Sequence, residues 1–231
     1  MQAPSRFKAV HRPVQIVVDV DVEVDRSFRF GCFDSDLSEV GDRVDLGAVL
    51  EREGRRLGVE VGVAEEGQYA QALLRLWPSF ESYRMIDQGP SCAKDFDLSY
   101  DILNSRRYTN ARRTLSEFKT RVAFLKSRPE DVIMTFEDSS LDFVYLSSSV
   151  DYCVDDVIYS LWRKLRPGGI MAGDDYYSRA KPWSWRRCLG GRMTHSTETK
   201  KIVDKFVAKN SLKLAITSRD ERPNWVVRKP C

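Results

Sequence analysis

No run of apolar residues in the 231-residue sequence approaches the roughly 18 that a membrane-spanning helix needs. The opening MQAPSRFKAVHR lacks the apolar core of a secretory signal. Both absences speak against a membrane partner. The five cysteines, Cys32, Cys92, Cys153, Cys188 and Cys231, are scattered, odd in number and form no CxxC pair. They read as reduced thiols in a cytoplasmic setting and argue against a zinc site. No G-x-G-x-x-G occurs, which disfavours a nicotinamide dehydrogenase. Internal repeats and low-complexity tracts are also missing. What remains is an ordinary globular composition, 42% hydrophobic and 31% charged. The length suits one full-sized domain with an appendage.

The net charge of +3 hides an asymmetry, because residues 179–231 carry 14 Lys/Arg against 4 Asp/Glu, and the preceding residues carry 23 against 30. A basic C-terminal quarter could meet a phosphorylated or acidic partner, nucleic acid included. The same pattern also describes a solvated face of a terminal helix and its loops.

Val14, Ile16, Val18, Val20, Val22 and Val24 alternate with mostly polar residues, which predicts a strand. Together with the Gly/Asp/Ser-rich stretch Cys32–Asp42 it makes residues 1–44 a β-rich arm and linker. Its strand could add to a sheet or join a second copy in a homo-oligomer. From Asp45 to residue 231 the texture becomes α/β. Short apolar strands are predicted at Leu57–Val63, Tyr83–Ile86, Val122–Leu125, Phe143–Leu146, Ile170–Gly173, Leu212–Thr217 and Trp225–Arg228. Helical segments lie between them at Asp45–Gly54, Gly67–Trp77, within Ala93–Thr120, and at Glu130–Phe136, Tyr152–Leu165 and Glu198–Lys209. This alternation implies a doubly wound, Rossmann-like, mostly parallel seven-stranded sheet with helices on both faces. Ligands of such sheets bind beyond the C-terminal strand ends.

The first strand end, "GVEVGVAEEGQYA" (Gly58 to Ala70), offers small residues and a helix N-terminus with free N–H donors. It also reads as an ordinary strand-to-helix turn. The second places Asp87 in "YRMIDQG", where a carboxylate can accept both hydroxyls of a ribose. A third stretch, "LWRKLRPGGIMAGDDYY" (Leu161 to Tyr177), is a helix, a Pro-Gly-Gly break and an apolar strand ending in two carboxylates and two tyrosines.

With "LRPGG" in place the chain resembles the class I S-adenosylmethionine-dependent methyltransferases. The set "VEVGVAEEGQYA", "MIDQ", "FEDSSLDFVYL", "DY", "LRPGGIMAGDDY" and "NWVVRK" is similar to their small type with a "VEVGVA.G" first loop. Some relatives of that type O-methylate sugars and other small molecules. The resemblance spans about residues 50–230. It implies a cofactor loop of Glu60, Gly62, Ala64 and Gly67, with Asp87 on the ribose and Ser127 near the adenine. Ser147 would lie under the sulfonium, and Tyr152, Asp174, Asp175 and Tyr176 would face the acceptor.

The sequence departs from that pattern in three places. Glu65 and Glu66 both stand between Ala64 and Gly67, where relatives have one residue. Ser147 and Val150 stand where relatives carry a carboxylate and a histidine, while Asp151 and Tyr152 remain. Asp174 replaces a histidine. Neither His11 nor His195 falls in a matched motif, and neither is given a catalytic role.

Methyl transfer from a sulfonium is an in-line displacement, in which alignment supplies roughly 7–11 kcal/mol in well-oriented systems. A hydroxyl acceptor also needs a base or a metal. Asp151 and Asp175 are the base candidates, although either could equally be a cap or turn carboxylate. Asp174 and Asp175 could hold Mg²⁺ through oxygen, but adjacent side chains on an extended chain point apart. In "YYSRAKPWSWRRCLGGR", Trp183, Trp185 and Tyr177 could stack on a flat acceptor, and Arg186 and Arg187 could pair with its phosphate or carboxylate. The same residues could simply pack on the domain. Three functions therefore stand open: a small-molecule O-methyltransferase, a nucleic-acid methyltransferase, and a non-catalytic relative serving as a binding or assembly module.

Overall fold

The structure, a computed structural model, describes Leu37, residues 40–87, 98–147, 154–177 and 196–231. The predicted strand over residues 14–24 lies outside the described residues.

Among the described residues seven strands form one sheet: β1 (Leu57–Val61), β2 (Ser82–Ile86), β3 (Val122–Leu125), β4 (Leu141–Leu146), β5 (Leu165–Gly173), β6 (Leu214–Ile216) and β7 (Trp225–Arg228). Their order is β3-β2-β1-β4-β5-β7-β6. The first five run parallel, and β7 enters antiparallel to both β5 and β6. The helices are α1 (Asp45–Arg52), α2 (Gln68–Leu76), α3 (Leu98–Thr114), α4 (Pro129–Ile133), α5 (Val154–Lys164) and α6 (Ser196–Lys209).

Strand alternation divides the interior in two. Tyr83, Met85, Phe143, Tyr145, Ile170, Ala172 and Val226 point to one face, where Leu46 and Leu50 of α1 and Tyr69, Leu73 and Leu74 of α2 cover them. Val59, Val61, Val144, Leu146, Met171 and Val227 point to the other, under Val157, Ile158 and Leu161 of α5 and Val203 and Phe206 of α6. Each such fully buried side chain contributes about 1.5–3 kcal/mol. Central strands apolar on both faces are what a doubly covered parallel sheet requires.

Packing begins before α1. Leu37 and Val40 are buried in the first core. The Gly41 carbonyl accepts from the N–H groups of Ser218 (3.1 Å) and Arg219 (2.7 Å), and the Arg43 N–H donates to Asp220 at 3.0 Å. This turn is thereby fastened to the β6–β7 loop.

Two expectations need correction. Residues 165–169 form the start of β5 and are not a break before it. A register irregularity between Leu141 and Phe143 of β4 accommodates the Pro-Gly-Gly step inside the strand. In addition, Cys231 is disulfide-bonded, so the expectation of reduced thiols throughout does not hold. Linear spacing carries no information on which sulfurs the fold brings together.

Candidate functional site

The strand ends form a continuous rim because the ladder continues one residue past each strand. Gly62 N–H donates to the Ile86 carbonyl at 2.8 Å and Asp87 N–H to Leu125 at 3.1 Å. Ser147 N–H reaches the Val61 carbonyl at 2.9 Å, and Asp174 N–H reaches Leu146 at 3.2 Å. Gly62, Asp87, Ser147 and Asp174 thus stand side by side at the ends of β1, β2, β4 and β5, with Ser127 just past β3. Neighbouring strands lie about 4.8 Å apart, so the row suits an elongated ligand.

Behind Gly62 the chain forms a 3-10 turn, Ala64–Gly67, and then enters α2. Gly62 (φ 89°) and Gly67 (φ 84°) adopt backbone conformations that favour glycine, and a Cβ on Gly67 would meet the Ala111 backbone at 3.2 Å. The extra residue of the loop shows as Glu66 at φ 54°, its carboxylate accepting from the Asn110 side chain of α3 at 2.8 Å.

Glu60 does not project into the open rim. It is fully buried on the α2 side of the sheet, where the Tyr83 hydroxyl donates to it at 2.9 Å. Burial and then the Glu60 charge push the Tyr83 phenol well above its ordinary range, so it stays a donor. Ser147 is buried, whereas Asp87 and Ser127 are half-buried.

Asp174 and Asp175 follow β5, both half-buried. Asp175 has left the extended conformation, with φ 57°. Its buried Oδ1 has no hydrogen-bond partner, and the exposed Arg222 guanidinium stands 3.8 Å away. A carboxylate in the left-handed region with an unserved oxygen is the strained arrangement that collects at functional sites. Tyr176 lies differently. It is buried, and its hydroxyl donates to Asp204 of α6 at 2.6 Å while Lys200 donates to it at 3.2 Å. Exposed Tyr177 packs edge-on against its ring, with centroids 4.6 Å apart. Asp151, Tyr152, Trp183 and Arg186 lie outside the described residues. Among the described residues no group of three or more His, Cys, Asp or Glu could hold a metal ion.

The structure adds four residues that no motif indicated: Arg43, Tyr69, Tyr145 and Asn224. Tyr69 of α2 lies against Tyr145 of β4, ring centroids 4.2 Å apart. The Arg43 guanidinium sits 5.0 Å above the Tyr69 ring, shares a hydrogen bond with the Tyr145 hydroxyl, and has Asp220 4.0 Å from Nε. Tyr145 in turn donates to the Asn224 side chain at 2.8 Å. Burial, followed by the Asp174 charge, raises the Tyr145 phenol well above its usual range. Tyr145 is the one hydroxyl-bearing residue of the apolar run Phe143–Leu146, the one signal that could have marked it.

No family profile matches the chain, and no curated protein matches it significantly. Solved structures do share the fold. An S-adenosylhomocysteine-bound methyltransferase from Podospora anserina is 12% identical, with a TM-score of 0.57 over 82% of this chain and 78% of that one. A Staphylococcus aureus protein assigned as a caffeoyl-CoA O-methyltransferase is 11% identical, with a TM-score of 0.57 over 80% and 82%. An O-methyltransferase family protein from Burkholderia thailandensis is 17% identical, with a TM-score of 0.55 over 81% of this chain and 55% of that one. The chain has the class I S-adenosylmethionine-dependent methyltransferase fold.

Proposed function

We propose that the chain is an S-adenosylmethionine-dependent methyltransferase acting on a hydroxyl of a small molecule or sugar. One observation carries this reading: Gly62, Asp87, Ser147 and Asp174 occupy consecutive strand ends of a sheet ordered 3-2-1-4-5-7-6. A cofactor of this shape fits the residues present. Gly62 and Gly67 keep side chains out of the first loop, the half-buried Asp87 carboxylate can take a ribose, and Ser127 lies at the adenine end. When bound, the cofactor supplies an electrophilic methyl group next to β4.

The acceptor then faces the β5 end. Asp175, with its unserved Oδ1, is the base that takes the acceptor's proton, and Asp174 lies beside it. The fold otherwise contributes alignment and water exclusion. Asp151, Tyr152, Trp183 and Arg186 are assigned to the acceptor side on the sequence alone.

A second reading, a binding module without turnover, is favoured by Ser147, a buried hydroxyl where a carboxylate is expected. Calorimetric titration with S-adenosylmethionine and S-adenosylhomocysteine tests both. We expect binding by the wild type, weakened about 10- to 100-fold by Asp87→Ala, the value of a hydrogen-bonded charge. Absence of wild-type binding would sink the methyltransferase reading. Binding without turnover on a broad acceptor panel would favour the module. Turnover on RNA or DNA that falls steeply with salt would redirect the acceptor to nucleic acid. Among the described residues no helix is long and apolar enough to cross a membrane.

A further inference from the structure

The Tyr69 hydroxyl is deeply buried, with the residue 2% exposed, and has no hydrogen-bond partner. A buried hydroxyl left this way costs about 1–3 kcal/mol, so an unserved one calls for an explanation. The ring cannot turn away to relieve it, held between Tyr145 beneath and Arg43 above. Its neighbours also locate it. Arg43, Asp220 and Asn224 belong to the 40–45 turn and the β6–β7 loop, and Asp174 follows β5. The hydroxyl therefore lies toward the β4, β5 and β7 ends, past the row that would take the cofactor. Arg43, whose guanidinium lies 5.0 Å from the ring centre, and Asp174 are both only half-buried, so this corner lies at the protein surface.

The charges in reach decide what kind of group. Asp220 stands 4.0 Å from the Arg43 Nε over the ring, and Glu60 is buried on the same face of the sheet. Burial, then the Glu60 charge, pushes the Tyr69 phenol well above its ordinary range, with Asp220 and Asp174 adding to this and Arg43 opposing it. A carboxylate or phosphate brought here would add a like charge to an acidic surrounding. A neutral oxygen would accept from Tyr69 and Arg43 without that repulsion, and its own O–H could donate to a carboxylate.

We propose that Tyr69 and Arg43 form one wall of the acceptor site and select a neutral hydroxyl- or carbonyl-bearing acceptor over its acidic analogue. The proposal rests on the methyltransferase reading and goes beyond it by naming the specificity residues and the charge of the acceptor. It also runs against one of the two readings of the basic C-terminal quarter, that it meets an acidic partner.

Tyr69→Phe removes the hydroxyl and keeps the ring. The test measures, for both proteins, the unliganded melting temperature and the affinity for S-adenosylhomocysteine. With S-adenosylhomocysteine saturating, saturation-transfer NMR at millimolar probe then compares glucose with glucuronate and catechol with protocatechuate. We expect a neutral probe to bind the wild type more tightly than its acidic partner, and Tyr69→Phe to weaken it about three- to tenfold, the worth of one uncharged hydrogen bond. The variant's melting temperature should be unchanged or higher, and its S-adenosylhomocysteine affinity unchanged. Tighter binding of the acidic partner, no binding of either neutral probe, or neutral binding indifferent to the variant would overturn the proposal. A lower melting temperature would mean a structural hydroxyl, and weaker S-adenosylhomocysteine binding a cofactor contact; either refutes an acceptor role. Failure of wild type to bind S-adenosylhomocysteine would remove the methyltransferase reading and this proposal together.

Discussion

Asp142 and Asp175 are carboxylates at opposite ends of the same sheet, and their surroundings differ sharply. At the N-terminal end, Asp142 is fully buried and accepts from the N–H groups of Arg56 and Leu57, both at 2.8 Å. Arg166 lies 3.0 Å and Arg55 3.7 Å from its other oxygen. Beside it Arg228 grips Glu53 with two hydrogen bonds of 2.7 and 2.9 Å, and Arg55 and Arg228 both donate to the Gly168 carbonyl at 2.8 Å. This network ties β1, β4, β5 and β7 together. At the C-terminal end, Asp175 has an oxygen without a hydrogen bond and a strained backbone, and the Tyr69 hydroxyl is unserved as well. Asp142 Oδ1 makes no hydrogen bond either, but two guanidinium groups flank it, whereas Asp175 Oδ1 has the exposed Arg222 at 3.8 Å. Charge compensated inside the fold indicates a structural end, and a carboxylate facing an exposed cation a binding end.

The contrast can be broken by substitution. Asp142→Asn should have the largest effect, a loss of about 3–5 kcal/mol in chemical denaturation, because it withdraws the carboxylate charge from the buried Arg55 and the part-buried Arg166. Burial already pulls the Arg166 guanidinium below its usual range, with Asp142 opposing that pull. A loss under 1 kcal/mol would deny the network its structural role. Gly47→Ala comes next, at about 1–3 kcal/mol, since its Cβ would meet the Leu73 carbonyl oxygen at 2.3 Å between α1 and α2. The same isosteric change at the other end, Asp175→Asn, should leave stability within about 0.5 kcal/mol, because asparagine tolerates the left-handed backbone. It should abolish proton removal and with it turnover on any acceptor found. A large destabilisation would mean that Asp175 serves the fold.

The smallest effect sharpens the boundary between the two classes. Asp204 is pushed up by burial, but hydrogen bonds from Lys200 and Tyr176 outweigh this and hold its carboxyl below the usual range. A folded-state pKa below the unfolded value of about 3.9 adds stability that is present above it and fades as pH falls below about 4. The pair is partly exposed, so the effect is small. The difference in melting temperature between wild type and Asp204→Asn should be slight at neutral pH and vanish in acid. A difference that grows in acid would reverse the assigned sign.

How much of this was legible in the sequence follows from the range of the forces involved. β3 and β7 were found to the residue because their apolar runs are short, complete and bounded by polar turns. The start of β5 was hidden, since Pro167 and the two glycines break the pattern that a strand follows; Gly168 has φ 72°, and the segment is held by Gly168 N–H donating to the Lys229 carbonyl and Lys229 N–H to the Gly169 carbonyl, both at 2.9 Å. That Gly62, Asp87, Ser147 and Asp174 follow neighbouring strands was legible, because chain order dictates which strand each residue follows. Side-chain direction was another matter: Glu60 and Tyr176 turn inward to Tyr83 and Asp204, partners lying 23 and 28 positions away. Arg43 was invisible because its meaning depends on Asp220, 177 positions later.

β7 is inserted between β5 and β6, and it lies after both in the chain. While the polypeptide is being made, β6 emerges with no neighbour to pair with, and the gap beside β5 stays open until Trp225–Arg228 arrive. Only then do Asn224 and Asp220 take their places against Tyr145 and Arg43. A nascent chain halted short of that strand would hold Tyr69, Tyr145 and Arg43 and lack β7 with the Asn224 contact that fixes Tyr145. The order of synthesis thus leaves this corner of the rim, between β4, β5 and the first turn, to be locked last.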